Sequence, residues 1–128
     1  MPPVVELRDD HVLIRLEGGD ALAALRRQIV VPYSTIMSVE AARPEWPALW
    51  TTVGLGLRAP PLVLKGTTRP WSKRQAFWFQ DKGTKRVGRF HLDGHAFATI
   101  HLDVGGRDAA DELAEAIAAR LVGPDDAA

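Results

Sequence analysis

The sequence predicts a mainly β fold, a partly open antiparallel barrel closed by one C-terminal α-helix, and three observations predict it. Short runs of alternating apolar and polar residues recur between Val4 and Val104, the period-two signature of half-buried strands. Pro44, Pro47, Pro60 and Pro61, with Gly54 and Gly56 among them, leave no room for a long helix in the middle of the chain. One long segment near the end, Asp108 to Leu121, carries its apolar residues at helical spacing instead.

Val4 to Leu16 reads as a hairpin. A tight turn at Asp9-Asp10 pairs Leu7 with Val12 and Val5 with Ile14, which puts all of these on one face. Gly18-Gly19 ends the second strand, and Asp20 is placed to cap a short helical segment, Ala21 to Arg27, whose Leu22 and Leu25 share a face. Gln28 to Val31 returns to strand, Pro32 breaks it, and Ile36 to Ala42 forms a further strand. From Arg43 a long loop is expected, with a short edge strand at Val53-Gly-Leu-Gly-Leu57, because Pro is barred from central ladders and Gly weakens them. Trp46 and Trp50 are expected to plug this loop onto the core, with a partner-facing patch as the alternative. A brief strand at Leu62 to Lys65 and a polar, basic loop from Gly66 to Arg74 follow. Gln75-Ala-Phe-Trp-Phe-Gln80 is apolar at successive positions, which suits a strand buried on one side and covered by a loop on the other.

The strands around Asp93-Gly94 form a hairpin whose register is set by burial. A two-residue turn would put the apolar sets of the two strands on opposite faces, so an odd loop of three or five residues is expected. That loop pairs Phe90 with Ala98 and Gly88 with Ile100, leaving Arg89, His91, Phe97, Thr99, His101 and Asp103 on the outer face. In the final helix Asp108 is expected to cap, Asp111 sits in a capping-box-like position, and acids occupy the first turn where the helix dipole favours them. Ala110, Leu113, Ala114, Ile117 and Leu121 form its buried stripe, and Gly123-Pro124 is expected to stop it. Residues 1–121 then make a single domain, with 122–128 a frayed tail.

Ile29-Val-Val-Pro-Tyr-Ser-Thr-Ile-Met-Ser-Val-Glu40, Phe77-Trp-Phe-Gln-Asp81 and the hairpin plus helix from Lys85 to Leu121 together resemble the bacterial pleckstrin-homology-like (PH-like) domains. The first segment is similar to the strand, proline, short turn and strand of that family. The resemblance implies a partly open antiparallel barrel of about seven strands with one C-terminal helix, and a binding or scaffolding role with no catalytic residue. The stretch from Arg43 to Arg58 departs from a plain barrel.

Composition narrows the function classes. At 128 residues the chain can bury a core without disulfides or metal, and it has no cysteine, which excludes a disulfide framework, thiolate catalysis and Cys-ligated zinc. Its formal net charge is zero, so no global field recruits nucleic acid or membrane. Met1-Pro-Pro-Val-Val-Glu lacks a basic n-region and an apolar core, and no apolar run approaches the ~18 residues of a membrane span, so a cytoplasmic location is expected.

Catalytic patterns are weak, and no enzymatic role is expected. Ser34, Ser38 and Ser72 lack a nucleophile-elbow setting, Gly54-Leu-Gly56 lacks the third glycine and helix of a dinucleotide loop, and nothing marks Glu40 and Glu45 as an acid and base pair. His91, His95 and His101 with Asp93 and Asp103 invite a metal reading, but the hairpin register spreads them apart, and neither metal nor cofactor is expected. Charge distribution says more. Lys65, Arg69, Lys73, Arg74, Lys82, Lys85, Arg86 and Arg89 occupy residues 65–89 against a single acid, Asp81, and the compensating acids gather later. Lys65, Arg69, Lys73, Arg74, Lys85 and Arg86, with Trp71 able to stack on a base or settle among lipid headgroups, are the candidate anion-binding set, against the plainer expectation that they are solvated loop residues, some pairing with the acidic helix. The expected role is a protein-binding module that self-associates as a homo-oligomer through an edge strand near Leu62, with binding of anionic lipid or nucleic acid through the basic loops as the alternative and a small-molecule enzyme, which would need a deep polar pocket, as the second.

Overall fold

The computed structural model describes residues 3–24, 27–46, 52–59, 63–70 and 75–127. Among these described residues nine strands form two sheets. The smaller holds β1 (Val4–Leu7), β2 (His11–Arg15) and β3 (Gln28–Pro32) in that order. The larger contains β4 (Ile36–Ala42), β5 (Thr52–Ala59), β6 (Val63–Pro70), β7 (Gln75–Asp81), β8 (Val87–Leu92) and β9 (Phe97–Leu102), in the order β4-β8-β9-β7-β6-β5. All neighbours are antiparallel except β7 and β9. A short α1 (Gly18–Ala24) separates β2 from β3, and α2 (Arg107–Ala127) ends the chain. The sheets share one core without closing into a barrel. No helix among the described residues is long and apolar enough to cross a membrane.

The first hairpin has the expected register, Val5 opposite Ile14 and Leu7 opposite Val12. β3 adds Ile29 opposite Ile14 and Val31 opposite Val12, so one face of the small sheet is apolar and buried. Pro32 cannot donate to a ladder, and the chain leaves the small sheet through a 3-10 turn, Tyr33–Thr35, closed by Thr35 Oγ1 donating to the Pro32 carbonyl at 2.7 Å. From the larger sheet Phe77, Phe79, Phe90, Ile100 and Leu102 complete the core, with Ile117 of α2 fully buried among them. Gly88 allows the helix close: a Cβ there would stand 3.2 Å from Leu113 Cδ2.

Several boundaries differ from those expected. The helices begin at Gly18 and Arg107, so Asp20 and Asp108 lie inside the first turns, where the dipole still favours an acid, rather than at caps. α2 also continues past Gly123-Pro124, because low propensity does not forbid a turn on a helix already nucleated. The segment expected as a brief edge strand and basic loop is the eight-residue β6, hydrogen-bonded on both sides by β5 and β7. Two ladders outweigh the polar composition, and β5 takes the edge. Leu62 itself lies outside the described residues.

The late hairpin has the odd loop, but its register is two residues longer than expected: Phe90 faces Ile100 and Gly88 faces Leu102. This shift preserves the faces, so burial alone could not distinguish the two registers. Phe97 is not on the outer face. A register irregularity against β7 turns it inward, 1% exposed, with its ring centroid 5.8 Å from that of Phe77.

Candidate functional site

The outer face of the larger sheet carries a row of cross-strand neighbours, Glu40, Arg89, His101, Trp78, Gly66 and Gly56. Its centre is buried. Trp78 stacks on His101 with centroids 3.8 Å apart and planes 5° from parallel, donates its indole N–H to Thr68 Oγ1 at 2.6 Å, and packs with Leu64, Ala76 and Trp46. Trp46 is thus the plug the sequence suggests, and Phe77-Trp78-Phe79 is covered on both faces; Trp50 lies outside the described residues. His101 was expected on an open face but is 3% exposed, because the second cluster covers it. Burial, and then the nearby Arg89 and His91 charges, push its pKa down to about 3, so the ring is neutral at physiological pH.

Charges in this row neutralise one another. Arg89 donates through Nε to Glu40 Oε1 at 2.8 Å and also grips the Glu45 carboxylate, while His91 Nε2 lies 3.0 Å from Glu40 Oε1. Hydrogen bonds from His91 and then Arg89 hold the Glu40 carboxyl below its ordinary range. His95 contacts the Val30 carbonyl at 2.8 Å. Among the described residues, no three His, Asp or Glu side chains gather as a metal-binding group.

The basic residues fall into two environments. Lys65, on the inward side of β6, donates to Asp20 Oδ1 at 3.0 Å and sits 4.8 Å from the centroid of the Phe79 ring. It belongs to the packing of α1 rather than to an anion-binding surface, because Asp20 in the first turn of α1 supplies its counter-charge. Arg69 is on β6, opposite Val53. Trp71, Lys73 and Arg74 lie outside the described residues.

Lys85 and Arg86 are placed otherwise. They line a cavity of about 600 Å³ together with Arg43, Pro44, Trp46, Thr84 and Arg107. Pairing of Ala42 with Val87 makes the residues after β4 and before β8 leave the sheet side by side. Gly105 and Gly106, at φ 105° and 135°, let the chain turn sharply from β9 to present Arg107 at the start of α2. Asp103, outside the lining, holds Thr84 in place: it accepts from Thr84 Oγ1 at 2.8 Å and from the Gly105 amide at 3.0 Å. Gln80 and Arg89 hold Glu45, the first donating to its carbonyl at 2.5 Å and the second gripping its carboxylate, so the strip carrying Arg43 and Trp46 is anchored.

Among the described residues four cations therefore line one cavity, and no acid lines it with them. Among the described residues, Arg43, Lys85, Arg86 and Arg107 form no ion pair or side-chain hydrogen bond, whereas Arg8, Arg15, Lys65 and Arg89 each have a carboxylate partner. Guanidinium groups offer forked donors suited to phosphate or carboxylate oxygens. Sequence reasoning missed Arg43 and Arg107. A basic residue flanking each of two strand ends was visible, but their convergence depends on the β4–β8 pairing and on the glycine turn. Compared with protein-family models, curated proteins and solved structures, the chain finds no match in any of the three.

Proposed function

We propose that this domain is a non-catalytic binding module that takes a small phosphate-bearing ligand in the cavity lined by Arg43, Lys85, Arg86 and Arg107. The observation that carries this reading is that, among the described residues, four cations and no carboxylate line one concave site. Each of these cations keeps its donors unused among the described residues, and a bound anion would accept their hydrogen bonds. The resemblance to PH-like domains supplies the expectation of binding without catalysis.

The test is a calorimetric titration with inorganic pyrophosphate at low ionic strength. Binding that weakens as salt rises is expected, with loss of most affinity in a Lys85→Glu, Arg86→Glu double variant. Arg120→Glu should bind like the parent, since Arg120 lies beside Tyr33 and donates to the Arg8 carbonyl instead of facing the cavity. No binding of pyrophosphate, or equal binding by the double variant, would overturn the proposal. Vesicles containing phosphatidylserine and a single-stranded oligonucleotide are parallel arms: capture of either one without pyrophosphate binding would move the function to an extended anionic surface.

A second reading is self-association through β5, favoured by the edge position of that strand and by Leu57 on it, which is 48% exposed. Sedimentation should then show concentration-dependent dimers that Leu57→Lys abolishes. A monomer at every concentration would dismiss it.

A further inference from the structure

We infer that the ligand is a nucleotide-type molecule whose aromatic ring rests on Trp46 while its phosphates meet Arg43, Lys85, Arg86 and Arg107. This rests on the anion-binding reading above and adds the chemistry of the ligand's other half.

A site for a bare inorganic anion needs donors and little else. This site is a larger, open cleft of about 600 Å³, room enough for a small organic molecule to lie along it. Its wall also contains an indole and the Pro44 ring. Trp46 is only partly buried: it packs against the cluster of Leu64, Ala76 and Trp78 and still lines the cavity. The adjoining Glu45 is held by Gln80 and Arg89, so this platform is fixed before a ligand arrives and little ordering is required on binding. A fixed indole beside a cluster of cations matches a molecule with an aromatic ring at one end and multiple negative charges at the other. Stacking tolerates any base, because every base has a π-face, and the cations set the preference for more than one phosphate charge.

The deciding experiment compares adenosine diphosphate, uridine diphosphate and inorganic pyrophosphate by calorimetry at one ionic strength. Adenosine diphosphate should bind on the order of tenfold more tightly than pyrophosphate, with uridine diphosphate between them, because the larger ring stacks better. Trp46→Leu should bring all three to the pyrophosphate level. Because Trp46 also covers Trp78, a second readout uses the unaltered protein: the Trp46 indole N–H resonance, assigned with Trp46→Phe, should move with adenosine diphosphate and stay in place with pyrophosphate. Equal binding of all three ligands with no movement of that resonance would overturn the nucleotide inference and leave the anion site standing. Binding of none of them would remove the anion site itself. An oligonucleotide that bound far more tightly than adenosine diphosphate would replace the small ligand with a single strand.

Discussion

Arg89 lies on β8 and the cavity cations lie just outside the strands, beside the ends of β4 and β8 and at the start of α2, and the two illustrate opposite uses of charge. Arg89 is surrounded by Glu40, Glu45 and His91, and its partners also fix the chain between β4 and Trp46. Arg43, Lys85, Arg86 and Arg107 have no such partners among the described residues, although Lys85 and Arg86 stand a few residues before Arg89 in the chain and Arg43 follows the strand paired with it. A satisfied charge stabilises local structure and has little left to offer a ligand. Unsatisfied charges in a concave site contribute little to the fold and leave their donors open. This difference, more than the number of basic residues, distinguishes a structural polar row from a binding site.

Substitutions in the two regions should therefore separate cleanly. The largest effect is expected at the centre of the satisfied row: Trp78→Ala should lower unfolding free energy by about 3–5 kcal/mol in denaturant melts, since it opens a buried cavity and strands the Thr68 hydroxyl. A near-neutral result would mean that the second cluster is not a core. Next comes the pH dependence of His101. Its folded pKa of about 3 lies below the ordinary histidine value of 6.5, so the unfolded chain binds the extra proton first, and stability is lost as pH falls through that window. Between pH 6.5 and 4.5 this one group should reduce stability by up to about 1.4 kcal/mol per pH unit. His101→Phe, which keeps the stack on Trp78, should flatten the profile there; an unchanged slope would place the titration elsewhere.

Arg89→Met should cost about 1–2 kcal/mol, a modest figure because its glutamate partners are substantially exposed. It should also loosen the Trp46 strip, seen as a shift of the Trp46 indole resonance. Least affected should be the stability of cavity variants. Arg86→Gln or Lys85→Gln should change unfolding free energy by no more than about 0.5 kcal/mol, or raise it slightly by relieving repulsion, while weakening pyrophosphate binding. A large loss of stability from either would mean that these side chains hold the fold together and would erase the contrast with Arg89.

The local readings that survived share a physical basis. The β1–β2 hairpin, the Ile36–Ala42 strand and the stripe through Ala110 and Ile117 depend on period and neighbouring turn residues, which are written into a short segment. The readings that failed depend on distant partners. Composition made 66–70 a loop, yet β5 and β7 supply its hydrogen bonds, and Trp78 opposite Gly66 covers the residue that has no side chain of its own. His101 and Phe97 were assigned by alternation along one strand, which carries no information about a second apolar cluster or a register irregularity.

The candidate site divides along the same line. By itself the sequence determined the mainly β class, the helix that completes the core, and a basic stretch containing Lys85 and Arg86, because hydrophobic period and charge are properties of contiguous residues. Only the tertiary structure decided which cations act together. It turned Lys65 toward Asp20 and placed Arg43 and Arg107 beside Lys85 and Arg86, with Trp46 on the adjoining wall. The reason is that strand pairing and the glycine turn before α2 join residues far apart in the chain, and a charge becomes part of a site or part of a salt bridge according to the neighbours that folding brings to it.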